Sequence, residues 1–171
     1  MEENNPMREI KIEKVTVNMG VGQTGDELKN ACAILEKVTD SKPVKTVCKV
    51  KQPTWGIREG LTIGAKVTLR KGRAEQFMKN ALAAKDDQLS RKNFDNHGNF
   101  GFGVKEYIDM PNVKYDPKLG IRGFDVLVTL KRPGYRIKRR KIGKKKVPRN
   151  HSVNQNQAIE FTKKKFGVEI K

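Results

Sequence analysis

The sequence lacks the features that mark membrane proteins, metalloproteins and most enzymes. No apolar run approaches the roughly 18 residues that a membrane-spanning helix needs, and the N-terminus does not resemble a signal peptide, so we expect a cytoplasmic protein. Cys32 and Cys48 lack C-x-x-C spacing, which favours two reduced, buried thiols over a disulfide or a metal site. His97 and His151 are distant from both cysteines and belong to no catalytic motif. We therefore predict no catalytic residue, no metal and no cofactor.

Acidic residues are also scarce, and their scarcity indicates the class of partner. The 171 residues include 37 Lys and Arg but only 19 Asp and Glu, for a net charge of +18. So much like charge on a small domain costs stability unless an anion screens it, and nucleic acid is the usual anion. A membrane-surface protein would need a basic helix with a bulky apolar face, which we do not find. The basic segment, residues 131–149, holds 11 Lys or Arg and no acid.

Residue spacing predicts a single α+β domain over residues 1–171. Residues 10–20 alternate as a strand with a phase slip that suggests a bulge, and residues 124–130 alternate as another strand. Apolar residues at helical spacing predict helices over residues 24–38 and 72–85, and a short terminal helix over residues 153–166. We expect a two-layer sandwich, with a largely antiparallel sheet, helices packed on one face and a basic RNA-binding face opposite.

Sequence signals also predict where the helices begin and end. Thr24 with Glu27, and Ser152 with Gln155, match the capping-box pattern at a helix N-terminus. Gly167 is predicted to close the last helix. The predicted buried stripes are Leu28, Ala31, Cys32, Leu35 and Val38 in the first helix, and Ala74, Phe77, Met78, Ala81 and Leu82 in the second.

Residues 43–70 predict a β-hairpin with one apolar and one basic face. In residues 62–70, Ile63, Ala65, Val67 and Leu69 lie opposite Lys66 and Arg70. In residues 44–51, Val44, Thr46, Cys48 and Val50 lie opposite Lys45, Lys49 and Lys51. Neither strand has an acid, whereas a merely solvated face usually mixes both signs. We therefore favour a polyanion-binding face over a solvated one.

Three glycines form a motif that two functions can explain. Gly20, Gly22 and Gly25 spell G-x-G-x-x-G between a strand and a helix, the dinucleotide-binding fingerprint. However, Asp26 and Glu27 occupy the helix N-terminus where a pyrophosphate would bind, and no acid ends the next strand. We favour a glycine-rich turn that leaves room for close backbone contact.

Three aromatic residues also have two possible roles. Phe100, Phe102 and Tyr107 could stack on unpaired bases or pack in the core. The GFG sequence at residues 101–103 is close to that of an RNA-recognition-motif strand, but its glycine pattern is offset by one position. The sequence therefore favours packing.

Five stretches, taken together, resemble one family: the universal 5S rRNA-binding family of large-subunit ribosomal proteins (the L-five family), in its archaeal and eukaryotic branch. They are NMGVG at Asn18 to Gly22, IREGLTIGAKVTLR at Ile57 to Arg70, NFDNHGNFGFGVKEY at Asn93 to Tyr107, YDPKLGIRGFDV at Tyr115 to Val126, and RPGYRI at Arg132 to Ile137. The resemblance implies a non-enzymatic structural protein of the central protuberance, which attaches 5S rRNA to the large-subunit rRNA.

The resemblance implies a 5S rRNA surface on the sheet and on the turn after the first strand. It suggests contacts by Asn18, Met19, Gly20, Lys42, Thr46, Arg58 and Thr68. The charge of the hairpin face and the glycine turn add Gly22, Lys45, Lys66 and Arg70.

The resemblance implies further partners for the loop between the hairpin strands, for the connector at residues 115–121 and for the basic segment. In the family, the hairpin loop contacts P-site tRNA. The family also contacts a protein of the small-subunit head across a subunit bridge, and residues 115–121 are the candidate for that contact here. The loop contacts are Lys49, Lys51, Gln52, Thr54 and Trp55, with Trp55 able to stack on a base. The basic segment is expected along rRNA phosphates through Arg132, Arg136, Lys138, Arg139, Arg140, Lys144, Lys145 and Lys146. A general basic RNA-binding or RNA-chaperone protein outside the ribosome is the alternative function.

Overall fold

A computed structural model describes residues 5–111 and 113–171, so residues 1–4 and 112 of the predicted domain lie outside the described residues. The strands are β1 (Lys11–Gly20), β2 (Val44–Val47), β3 (Thr62–Leu69), β4 (Gln88–Leu89), β5 (Phe100–Val104), β6 (Phe124–Lys131) and β7 (Glu169–Ile170). The helices are α1 (Asp26–Thr39), α2 (Lys71–Ala83) and α3 (Gln155–Phe166). None of the described helices is long and apolar enough to cross a bilayer.

The predicted α+β sandwich is confirmed. Five strands form an antiparallel sheet in the order β2-β3-β1-β6-β5, and the short strands β4 and β7 pair in parallel. In the central strand, Val17 lies between Val67 of β3 and Val126 of β6. All three side chains are at most 3% exposed and belong to the core that α1 and α2 cover. One face of the sheet is thus devoted to burial.

The predicted slip in β1 is confirmed as a bulge at Glu13. The register against β6 shifts between Ile12 and Lys14. Because the bulge adds a residue to one strand, both Ile12 and Glu13 are buried. A carboxylate is thereby placed in the interior.

The apolar stripes are largely confirmed. All five residues predicted for α2 are buried. In α1, Leu28, Ala31 and Leu35 are buried, Cys32 and Val38 are half-buried, and Ile34 is a buried residue that the prediction omitted. The sequence predicts two buried thiols, but both free cysteines are only half-buried.

The capping predictions were wrong at both helix starts. No side chain caps α1, which begins after Gly25 at φ +103°, a backbone conformation that glycine adopts readily. The capping box of α3 consists of Asn154 and Gln157, two residues beyond the predicted pair. Gly167 ends α3 in the left-handed conformation, as predicted.

The first strand of the hairpin is shorter than predicted, and its faces are reversed. Antiparallel partners share a face of the sheet; Val44 pairs with Lys66, and Lys45 pairs with Ala65. Val44 therefore lies on the face away from the helices, and Lys45 lies on the helix side. Val44, Val47 and Val50 are 61%, 52% and 63% exposed, so these valines do not belong to the core that the helices cover. Alternation alone cannot say which face of an edge strand points inward.

The aromatic residues around β5 pack in the core, as favoured. Phe100 and Phe102 pair with Val128 and Val126 and are at most 5% exposed. Tyr107 is fully buried, and its hydroxyl accepts a hydrogen bond of 3.0 Å from the backbone N–H of Asp116. None of the three is available to stack on a base.

Candidate nucleic-acid interface

The sheet face away from the helices, here called the outer face, is broad and is lined mainly by small side chains. Strand register assigns residues to it: Asn18 pairs with both Lys66 and Asp125, and Thr16 with both Thr68 and Leu127. Lys66, Thr68 and Leu127 are exposed. The members are Thr16, Asn18, Val44, Thr46, Gly64, Lys66, Thr68, Gly101, Gly103, Asp125 and Leu127.

The cations of this surface lie mostly at its margins. Lys66 and Asp125 pair with Asn18 from opposite sides, so their charges offset each other on the outer face. Arg70 follows β3 and is exposed, and its Nη1 donates to the Glu13 carbonyl oxygen at 3.4 Å. Lys42 and Arg58, before β2 and before β3, are also exposed. The arrangement suits a flat contact with phosphates held around its edge.

Two glycines allow neighbouring side chains to lie flat across the outer face. A Cβ atom added to Gly64 would lie 2.8 Å from Thr46 Oγ1 and 2.9 Å from the Met19 carbonyl oxygen. A Cβ atom added to Gly101 would lie 2.7 Å from Leu127 Cδ2. Any larger residue at these positions would therefore force its neighbours outward.

The turn after β1 exposes backbone at one end of the outer face. The amides of Val21 and Gly22 both donate to the Ile63 carbonyl, at 3.0 and 2.9 Å. Gly22 has φ +78°, and nothing lies within 4 Å of a Cβ atom placed on Gly20 or Gly22. A partner can therefore approach the backbone closely here.

The same glycines do not form a dinucleotide site. The strands on both sides of β1 are antiparallel to it, whereas the fingerprint requires a parallel β-α-β unit. Asp26 and Glu27 occupy the first turn of α1. The Lys29 ammonium, 2.8 Å from Asp26 Oδ1, holds the pKa of that carboxyl below its usual value. Ionised acids at this helix N-terminus oppose phosphate binding.

The loop between β2 and β3 is braced at two levels. At its base, the Cys48 amide donates to the Leu61 carbonyl at 2.8 Å. Further out, Gln52 and Ile57 exchange backbone hydrogen bonds of 2.9 and 3.1 Å. The tip is a 3₁₀ turn, Pro53–Trp55, where Trp55 is 74% exposed. The predicted loop contacts Lys49, Lys51, Gln52, Thr54 and Trp55 are all exposed.

The basic segment is folded onto the protein. Tyr135 is buried, and its hydroxyl accepts from the Val153 amide at 3.0 Å and donates to the His151 carbonyl at 3.3 Å. The Lys145 amide donates to the Ile137 carbonyl at 3.2 Å, which closes the loop between them. Its exposed cations include Arg136, Lys138, Arg139, Arg140, Lys144, Lys145 and Lys146.

The side chains of three predicted contact residues lie away from these surfaces. Met19 is 2% exposed because it is on the core face of β1, so only its backbone can meet RNA. Lys45 lies on the helix side of the sheet. Arg132 is 6% exposed, and its Nη2 donates to Gln157 Oε1 at 2.9 Å, so it joins β6 to α3 inside the protein.

Sequence reasoning missed an ion pair that links the bulge to the basic segment. Glu13 Oε1 is bonded to Arg139 Nη2, and the other carboxylate oxygen is buried with no hydrogen-bond partner among the described residues. The only sequence signal was that the one acid of this strand stands at the phase slip. Among the described residues, no group of three His, Cys, Asp or Glu side chains could hold a metal ion.

An α+β sandwich with an exposed sheet face and a folded, exposed cationic segment is compatible with the class of nucleic-acid-binding proteins. Comparison with known families makes the class specific. The family model "Ribosomal protein L5" matches residues 5–58, and the model of the C-terminus of the same ribosomal family matches residues 62–164. The chain belongs to the ribosomal protein L5 family, as the sequence motifs predicted, and it is a non-enzymatic structural component of the ribosome.

Named relatives agree with the family models over nearly the whole chain. The large ribosomal subunit protein uL5 of Methanococcus vannielii is 47% identical over 171 residues, which cover 98% of this chain and 94% of the relative. The protein of the same name from Sulfurisphaera tokodaii is 44% identical over 167 residues, covering 97% and 94%. Both organisms are archaea, in keeping with the predicted branch.

Proposed function

We propose that this protein is a constituent of the large ribosomal subunit that binds 5S rRNA in the central protuberance, attaches it to the large rRNA and contacts P-site tRNA. The observation that carries the proposal is the outer face, a sheet surface that none of the described helices covers and that has cations at its margins. The large-subunit setting follows the names of the relatives, and a cytoplasmic location is proposed with it.

The outer face suits the backbone of folded RNA. The phosphates of an A-form helix are read through shape and charge, and its wide minor groove presents ribose hydroxyls to polar side chains. Asn18, Thr46 and Thr68 provide short polar groups for those hydroxyls, and Lys66 and Arg70 provide charge. Gly20 and Gly22 allow the chain to approach closely at the end of the face.

The braced loop is proposed to reach tRNA. Trp55 offers a stacking surface at the tip, and Lys49 and Lys51 supply phosphate contacts on the way to it. Because backbone hydrogen bonds hold the loop at two levels, little of its conformational freedom is lost on binding.

The connector before β6 is proposed to face a small-subunit protein across a subunit bridge. Tyr115 and Ile121 are 52% and 57% exposed. The connector is fixed to α1 by the Arg122–Glu27 ion pair at 3.0 Å and by Asn30 Nδ2, which donates to the Lys118 carbonyl at 3.4 Å. It therefore presents these apolar groups from a defined position.

A filter-binding competition tests the 5S assignment. We expect 5S rRNA to displace labelled 5S rRNA far better than tRNA does, and Arg58→Ala and Thr68→Ala to weaken the complex. Lys79→Ala is the matched control, because Lys79 is exposed on α2 in the opposite layer. Equal competition by tRNA would instead indicate a general RNA-binding protein.

A further inference from the structure

Ile142 is an apolar side chain at the apex of the most cationic part of the chain. It is 87% exposed, the highest value among the large hydrophobic residues that the structure describes. The surrounding basic lobe, residues 138–146, contains seven Lys or Arg and no acid. A single exposed apolar residue is ordinary on a protein surface, but this one lies among seven Lys or Arg residues within a stretch of nine.

Contacts within the protein hold the basic lobe in place. The Ile137–Lys145 backbone bond closes its base, and the Arg139–Glu13 pair fixes one side of it. Lys138 Nζ lies 4.8 Å from the centre of the buried Tyr135 ring. Arg140 Nε donates to the Gly143 carbonyl at 2.8 Å, across the tip. These contacts hold Ile142 in a defined place, which lowers the entropy cost of binding through it.

We propose that Ile142 packs against an unpaired or splayed base of rRNA while the lysines on either side of it bind the flanking phosphates. Phosphates offer no apolar surface, so within an RNA partner the face of a base is the surface that can bury an isoleucine. Apolar wedges of this type enter partly unstacked steps of nucleic acids, and specific RNA recognition usually targets unstacked bases in loops and bulges. The inference rests on the proposed placement of the basic segment on rRNA and adds an apolar contact to it.

Filter binding of the full-length chain to its own 5S rRNA and to large-subunit rRNA, over a series of salt concentrations, tests the proposal. We expect Ile142→Ala to weaken binding to one of these RNAs by about tenfold, the order of a lost base contact. The slope of log affinity against log salt should not change, because no ionic contact is lost. Ile142→Lys should fail to restore binding. Met7→Ala is the matched control, since Met7 is an exposed apolar residue of the N-terminal 3₁₀ turn and belongs to none of the proposed binding surfaces.

Three results would overturn the proposal: binding by Ile142→Ala within twofold of the native chain for both RNAs, tighter binding by Ile142→Lys, or an equal loss in Met7→Ala. The triple variant Lys144→Ala, Lys145→Ala, Lys146→Ala separates this failure from that of the proposed function. If the triple variant flattens the salt slope and Ile142→Ala is neutral, only the apolar contact is refuted. If the triple variant leaves the slope unchanged, the placement of the segment on phosphate is refuted as well.

Discussion

Glu13, buried at the bulge of β1, is paired with Arg139, whose side chain is half-exposed in the basic segment. The pair connects the central strand of the sheet to the segment that holds 11 of the chain's Lys and Arg residues. The cationic surface is therefore positioned by an acid in the core.

Removing Arg139 should destabilise the fold. Arg139→Ala leaves the Glu13 carboxylate buried without its partner, so we expect the free energy of unfolding to fall by about 1–3 kcal/mol. Urea denaturation measures the loss. Arg140→Ala is the control, because Arg140 is exposed and bonds within its own loop. Equal stability of the two variants would show that the pair contributes nothing.

Lys45 and Lys66 lie on neighbouring strands but on opposite faces. We expect Lys66→Ala to weaken 5S rRNA binding several-fold and to reduce the salt slope by about one, the effect of one lost phosphate contact. Lys45→Ala should leave both quantities unchanged. Binding titrations at several salt concentrations distinguish the two variants, and a larger effect at Lys45 would mean that RNA meets the helix side of the sheet.

Gly64→Ala should damage the sheet, whereas Gly20→Ala should not. The added methyl group at Gly64 would clash with Thr46 Oγ1 and with the Met19 carbonyl, and we expect a loss of about 1–3 kcal/mol. The same methyl group at Gly20 meets nothing within 4 Å. Thermal melts should separate the variants, and 5S binding by Gly20→Ala then shows whether RNA approaches that backbone. Matching melting temperatures would contradict the packing argument.

Trp55→Ala should reduce contact with tRNA without affecting the fold, because the ring is 74% exposed. Loss of one stacked base predicts a decrease in affinity of about five- to a hundredfold. Cross-linking of P-site tRNA in ribosomes that carry the variant measures it. Trp55→Phe keeps an aromatic face and should retain most of the contact. An unchanged cross-link in Trp55→Ala would place the tRNA elsewhere.

Much of the fold can be predicted from residue periodicity, because an element with one buried face must place apolar residues at regular intervals. The stripe of α2 and the alternation in β6 were predicted residue by residue, since each element has one face in the core. The inward face of β2 was not predicted correctly, because an edge strand gains little by turning its valines inward. Val44 is exposed. The burial of a charged residue could not be predicted from its charge either. Arg132 lies close in the sequence to exposed cations, yet its side chain is buried between β6 and α3.

The central position of β1 has a consequence for the order of events during synthesis. Val15 pairs with Leu69 of β3 on one side and with Val128 of β6 on the other. One edge of β1 therefore stays unpaired until β6, in the other half of the chain, has been synthesised. Pairing between such distant segments slows folding. We expect the β2-β3-β1 part of the outer face to form while β6 is still being made, and the β6 side to be added later. Pulsed hydrogen exchange on stalled nascent chains would show this delay as late protection of the β6 amides.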